Sequence, residues 1–371
     1  MTKLFEATNI HGMILANRFM RSATWEGMAT KDGEATPQLN ATMEKLVEGG
    51  VGLIISSFSY VRTDGQVSPR QLGIYKDELI PALMRMTESV HRQGGKIVMQ
   101  IVHGGVFARS QLTGQPPIGP SQVQGWPNSP PGKEISVEDI QDIINAYGTA
   151  ARRVKEAGFD GIQIFAGHGF LLSQFLSSFF NKRSDAYGGN LEGRLRILLE
   201  VVKRVRAEVG QGYPVLIKMN SGDFLDGGLT LDESLRVGIK VCKEGVDAIE
   251  LSGGTWISGE NLPARKQITS REKEAYFREA ASVFKRKIDV PLILVGGIRS
   301  FDVADQLVEE GVADYVSMCR PLICEPGLIN RWKAGDLAKS ACISCNQCFE
   351  PARSGEGIYC VAERKLNGKK N

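Results

Sequence analysis

The chain has 371 residues, enough for two or three ordinary domains or for one large α/β barrel. With 42 % hydrophobic and 23 % charged residues, and 42 glycines and 15 prolines, it is neither disordered, collagen-like nor a small disulfide scaffold. The 45 Lys plus Arg against 42 Asp plus Glu leave a net charge of only +3, so no nucleic-acid partner is expected. No run reaches the ~18 apolar residues of a membrane span, and Met1 to Ala7 lack the apolar stretch of a secretory signal. The expectation is a cytoplasmic protein without a membrane partner.

Eight short, apolar, β-branched runs follow in chain order: 19–24, 52–58, 96–102, 161–166, 215–220, 248–253, 291–297 and 315–321. Their hydrophobicity is nearly continuous, as in parallel strands covered on both faces. Helical periodicity fills the gaps. After Ser136 the positions Ile140, Ile143, Ile144, Tyr147, Ala151 and Val154 keep one face until Gly158, and Thr230 with Glu233 forms a capping box ahead of Leu235 and Ile239. Eight such units predict a TIM (β/α)8 barrel over residues 1–335, with an open doubly wound sheet as the other arrangement of the same pattern.

Two segments break the rhythm. Residues 113–133 carry six prolines and four glycines, so 103–135 is expected to be an irregular lid over the substrate side. From about Gly335 a Cys-rich extension, 336–371, follows the last barrel helix. It reads C-x2-C-x2-C-x11-C as Cys342, Cys345, Cys348 and Cys360, a thiolate set suited to an iron–sulfur cluster or to tetrahedral zinc.

Barrel chemistry belongs at the C-terminal strand ends. Strand seven ends in Gly296-Gly297, with a helix led by Ser300 after it, and strand eight ends in Cys319-Arg320. Glycines that admit close approach, a helix N-terminus and a guanidinium suit a phosphate, although a turn with a solvated arginine has the same letters. Of four histidines, His103 and His168 fall at the ends of strands three and four. Lys218, inside an apolar strand, must find a partner or reach the barrel mouth. No P-loop and no H-E-x-x-H occurs, and Gly167-His168-Gly169 has Leu172 where a dinucleotide fingerprint needs glycine.

Taken together, Asn17-Arg18, Gln100-x-x-His103-Gly104-Gly105, Gly158 to Gly161, His168 to Leu176, Asn181 to Gly189 and Glu192-Gly193-Arg194 resemble the old yellow enzyme family of flavin mononucleotide oxidoreductases. The likeness covers about residues 5 to 335. It implies FMN bound by Ala23, Thr24, Ser57, Gln100, Lys218, Gly296, Gly297, Cys319 and Arg320. It further implies catalytic roles for His168, Lys218 and His103, and a substrate pocket of Trp25, Phe165, His168 and Phe170. Where the family carries a His-x-x-His or His-x-x-Asn pair and a proton-donating tyrosine, this chain has Phe165, His168 and Phe170, so His168, Tyr60 or solvent becomes the proton source. The cysteine segment, with its Cys345-Asn346-Gln347 run, is similar to the [4Fe-4S] segment of 2,4-dienoyl-CoA reductases and trimethylamine dehydrogenases, with one residue fewer between the second and third cysteines.

The function expected from the resemblance is hydride transfer between reduced flavin and a small unsaturated or oxidised substrate, the flavin being reduced by NAD(P)H or by a protein electron carrier. The alternative is a flavin and iron–sulfur electron-transfer module without an alkene substrate, and zinc is the alternative metal. The sequence leaves room for a homo-oligomer.

Overall fold

Each of the eight apolar runs forms a strand: β1 Phe19–Arg21, β2 Leu53–Tyr60, β3 Ile97–Val102, β4 Gly161–Ala166, β5 Val215–Asn220, β6 Ala248–Ser252, β7 Leu292–Val295 and β8 Tyr315–Met318. The computed structural model describes residues 2–367, so 368–371 of the expected extension lie outside the described residues. All eight strands pair in parallel and close into a barrel, β8 bonding back to β1, which removes the open-sheet arrangement. The crossover helices start where the sequence signals them. Ser136 and Asp139 cap Val137–Glu156 reciprocally, and Thr230 and Glu233 do the same for Leu231–Lys243.

The strand period of two sorts the bore into layers. Met20, Leu53, Ile55, Val98, Leu216, Ala248, Ile293 and Tyr315 pack as one apolar cluster with Ile10, Met13 and Leu15, so the antiparallel hairpin Thr8–Ile10/Met13–Leu15 stoppers the N-terminal end. Two residues further along the strands the inward positions turn polar, as Ser22, Gln100, Gln163, Lys218, Glu250 and Ser317. Two residues further still come Thr24, Val102, Phe165, Asn220, Ser252 and Cys319, at the mouth.

The segment between β3 and the next crossover helix is less irregular than its composition implies. It holds a 3-10 turn, Gly105–Phe107, a short helix, Ser110–Thr113, and a two-residue parallel pairing of Ile118–Gly119 with Lys133–Glu134. Its prolines fall between these pieces. Arg183 ties it down by donating to the carbonyls of Pro120 and Ile135, and the Lys182 N–H donates to Ser121 Oγ. At its base the buried Gln174 amide donates to the carbonyls of Gly104 and Gly169 (3.2 and 2.6 Å) and accepts from the Val106 N–H (3.1 Å). Gly105 has φ +61, and a Cβ there would stand 2.2 Å from Gln174 Oε1, so only glycine fits this approach.

The extension is no loose appendix. Cys348, Ala352 and Ile358 belong to the main hydrophobic cluster, Ala352 lies against Gly27, and the Ser340 N–H donates to the Arg299 carbonyl. No helix among the described residues is long and apolar enough to cross a membrane.

Gln174→Leu removes the partners of three buried backbone groups, so a loss of about 2–4 kcal/mol is expected. Urea denaturation measures it, and an unshifted midpoint would show that the lid base is held by other contacts.

Candidate active site

The polar layer of the bore centres on Glu250, fully buried on β6. It accepts from Ser22 Oγ (2.7 Å), Lys218 Nζ (3.1 Å), Ser317 Oγ (3.0 Å) and Gln163 Nε2 (2.9 Å). Gln163 Oε1 in turn accepts from Gln100 Nε2 at 2.7 Å. Strand register makes these contacts, because Lys218 pairs with Glu250 and Gln100 with Gln163 across adjacent strands. Burial alone would raise the Glu250 carboxyl. The Lys218 charge and the hydrogen bonds from Ser22, Gln163 and Lys218 outweigh it and hold the group below the usual carboxylate range. Lys218 Nζ also donates to Ser22 Oγ at 2.6 Å, and the Gln100 side-chain oxygen, Oε1, has no protein donor among the described residues.

Above this layer the mouth has two unlike sides. On the β7–β8 side, the end of β7 lies beside Cys319 and Arg320. Gly297 has φ +74 against the Tyr276 ring, where a Cβ would meet a ring carbon at 2.7 Å. The N–H groups of Gly297 and of Arg320, the first residue of the short helix Arg320–Cys324, have no protein acceptor among the described residues. Arg320 is nearly buried, and its Nη1 donates to the Arg265 carbonyl and to Asn346 Oδ1, both at 2.7 Å. Unpartnered N–H groups beside a guanidinium and two glycines fit a phosphate group. Just before the helix led by Ser300, Glu274 takes the N–H groups of Arg299 and Ser300 (2.8 and 3.0 Å) and the Ser300 hydroxyl (2.7 Å), so those three donors are spent.

On the β4–β6 side stand His168 and an aromatic wall. Phe165 packs edge-on against His168 and Phe170, each at 5.1 Å between centroids. Phe58 lies 5.8 Å from Phe170, Trp256 6.3 Å from His168, and the lid's Trp126 6.3 Å from Trp256. The His168 backbone is left-handed, φ +58, held by its N–H to Asn220 Oδ1 at 2.9 Å. Its Nε2 is 2.7 Å from Ser252 Oγ. Burial, then the Lys218 charge, pushes the imidazole well below its ordinary value, so the ring is neutral at physiological pH.

Several residues expected in the site lie elsewhere. His103 is sealed beneath the lid, where Nδ1 accepts from the Gly105 N–H (3.1 Å) and Nε2 donates to Asp64 (3.1 Å), leaving no nitrogen for a substrate. Asp64, bound also by Arg62, is held well below the usual carboxylate range: burial would raise it, but the hydrogen bond from His103 and the Arg62 charge prevail. Trp25 sits in the main core with Nε1 donating to the Pro69 carbonyl at 3.0 Å, outside the aromatic wall. Tyr60 stacks on Tyr75 at 5.1 Å, apart from the rings around His168, and burial pushes its phenol far above the ordinary range. Ser57 directs its hydroxyl to Glu26 (2.5 Å) and the Thr24 carbonyl (3.1 Å), whereas Thr24 stays at the mouth with Oγ1 3.1 Å from Cys319 Sγ, and its neighbour Ala23, only partly buried, rests on the apolar plug from above. A cavity of about 360 Å³ opens between Ser221, Phe224, Thr230, Tyr276 and Phe277 beside the mouth. A slightly larger one, about 400 Å³, lies between Arg62, Tyr75 and Arg153, and none of the bore residues lines it.

No disulfide joins any of the seven cysteines. Cys342 and Cys348 are buried, Cys345 and Cys360 half-buried, and among the described residues no three of these four gather their sulfur atoms within 4.8 Å. The one compact donor group found there is Cys324, Cys360 and Glu363, and Cys324 stood outside the expected set.

Barrel, mouth and cradle together define a closed α/β barrel with an anion-binding site at the C-terminal ends of its strands. Residues 3–338 match the NADH:flavin oxidoreductase / NADH oxidase family, and the chain belongs to it. It is 36 % identical over 364 residues to a metal reductase of Desulforamulus reducens, covering 97 % of this chain and 53 % of that protein. Among solved structures it is similar to a 2-naphthoyl-CoA reductase in complex with 2-naphthoyl-CoA, with a TM-score of 0.89, 28 % identity, and coverage of 98 % of this chain and 57 % of the other. It is also similar to an old yellow enzyme homologue from Zymomonas mobilis, with a TM-score of 0.77, 25 % identity, and coverage of 92 % and 96 %. The chain spans about half the length of the first curated relatives it matches.

Glu250→Ala leaves Lys218 as a buried unpaired charge, at an expected cost of about 3–5 kcal/mol. The Glu250 carboxyl is depressed in the folded state, so its stabilisation is complete above the ordinary carboxylate range and lost as pH falls through the folded value. Denaturation midpoints against pH should therefore fall on acidification, and less steeply for Glu250→Gln. Parallel curves for the two proteins would contradict the assignment.

Proposed function

We propose that the chain binds FMN across the barrel mouth and serves hydride transfer to a flat, largely apolar, unsaturated small molecule held against His168. The observation that carries this reading is that one barrel end combines an unpartnered anion cradle, a lysine and a glutamine rising from the bore, and a wall of aromatic rings. Arg320 and the N–H groups of Gly297 and Arg320 would hold the phosphate, and Gln100 would offer its free side-chain oxygen to the pyrimidine edge. Lys218 would place positive charge near N1, with Thr24, Ala23 and Cys319 lining the ring. Reduced FMN, when bound, supplies the hydride, and NAD(P)H is the reductant the family implies.

The remaining steps belong to the protein. Phe58, Phe165, Phe170, Trp126 and Trp256 exclude water and favour a planar ligand. His168, neutral and fixed by Ser252 and Asn220, keeps Nδ1 without a protein partner among the described residues and can bond a polar atom of that ligand through it. Phe170 has no proton to give, so the acid is His168 or solvent. The likeness to the 2-naphthoyl-CoA reductase complex supports an aromatic acyl thioester as one substrate class to try.

Cys342, Cys345, Cys348 and Cys360 are proposed to hold a [4Fe-4S] cluster. Zinc, with Zn–S near 2.3 Å, draws its thiolates to about 3.8 Å from one another. Among the described residues no three of these sulfurs gather within 4.8 Å, which supports a cluster, whose cysteines bind separate irons, over a single zinc. Such a centre would admit electrons singly. The second reading, an electron-transfer module without an alkene substrate, is favoured by the direct contact between Arg320 and the cysteine segment.

An anaerobic absorption spectrum with iron, zinc and sulfide analysis tests the cofactors: flavin bands and about four irons per chain are expected, and loss of iron from each single Cys→Ser variant. One zinc and no iron would overturn the cluster. Arg320→Ala should weaken FMN about ten- to a hundredfold, and unchanged flavin retention on dialysis would remove the phosphate assignment. Phe170→Tyr should raise turnover of simple enones, since a general acid contributes up to ~10²–10⁴-fold. No gain with several enones, FMN binding being normal, would favour the electron-transfer reading.

A further inference from the structure

We propose that Asn346 is a positioning residue for the FMN phosphate: from inside the cysteine segment it orients Arg320, so that flavin retention depends on how that segment is held. The proposal rests on the reading of Arg320 as the phosphate anchor. A guanidinium has five N–H donors, and its Nε/Nη2 edge makes bidentate contacts to phosphate. In Arg320 both Nη1 hydrogens are spent, one on the Arg265 carbonyl and one on Asn346 Oδ1, each at 2.7 Å. That leaves the bidentate edge free and fixes its direction.

Asn346 is itself locked. Its Nδ2 donates to the Ala264 carbonyl at 2.8 Å, and its backbone is left-handed, φ +62, a conformation asparagine tolerates better than most residues. One amide thus ties together the helix after β8, the loop between β6 and β7, and the segment between Cys345 and Cys348. The far half of the cradle hangs from the same loop. The Arg265 guanidinium lies 4.5 Å over the Tyr276 ring, and Tyr276 packs on Gly297. A metal centre on Cys345 and Cys348 would fix the backbone on both sides of Asn346. By linkage, whatever that contributes to flavin affinity, bound flavin returns to metal affinity.

The test uses the full chain, purified anaerobically with its flavin and metal, diluted while released FMN is followed by fluorescence. N346A should weaken FMN about tenfold, the effect of losing a hydrogen bond that orients a charged group. In the R320A background N346A should add less than about twofold, because the two residues act as one unit. Stripping iron with a chelator should weaken FMN in the wild type and much less in N346A. N346A that retains FMN like the wild type while R320A loses it overturns this proposal alone, as does a full tenfold loss on top of R320A. R320A with wild-type retention removes the phosphate assignment and this proposal with it.

Discussion

Two opposite charges facing each other across β5 and β6 organise the barrel's interior. Lys218 and Glu250 are paired in register, and neither is tolerable in a low-dielectric bore without the other. Glu250 needs more than the lysine, and the closed barrel supplies it: Ser22 on the far side of β1 and Ser317 on β8 reach the same carboxylate only because the sheet joins up. The apolar plug beneath keeps water away from this ring of side chains, so its hydrogen bonds hold Lys218 and Gln100 in place from below.

The same lysine acts on both sides of the mouth. Its charge suits an electron-rich ring above it, and it also discourages protonation of His168. Protein electrostatics thereby separate two jobs that a protonated histidine would blur: cationic stabilisation stays in the bore, and a neutral hydrogen-bonding group stands among aromatic rings. A wall of five such rings with one neutral imidazole selects for shape more than for charge.

Much of this was legible in the sequence, and for identifiable reasons. Continuous apolar runs and capping boxes such as Thr230/Glu233 are local signals, and the strands and helices they mark are where expected. Lys218 stands out because a lysine in an apolar strand is costly. Glu250 is just as anomalous within Ala-Ile-Glu-Leu-Ser, and its signal lies in the strand period: stepping two residues along each strand from Val98, Leu216 and Ala248 reaches Gln100, Lys218 and Glu250 in turn. Strand-end position does not say which way a ring turns: His103 faces Asp64, and Trp25 faces Pro69. Trp126 and Trp256 arrive from loops with no periodicity, so only tertiary folding brings them to His168. The burial of the cysteine segment against Gly27 and Arg320 is equally non-local.

The hairpin at residues 8–15 has a kinetic meaning. With Ile10, Met13 and Leu15 pressed into the lower bore, the barrel is a cup and not a tube. Among the described residues the polar ring is closed off below, so it faces the outside through the mouth. On the proposed reading, two molecules that each need the centre of this cup would take turns, the first departing before the second arrives.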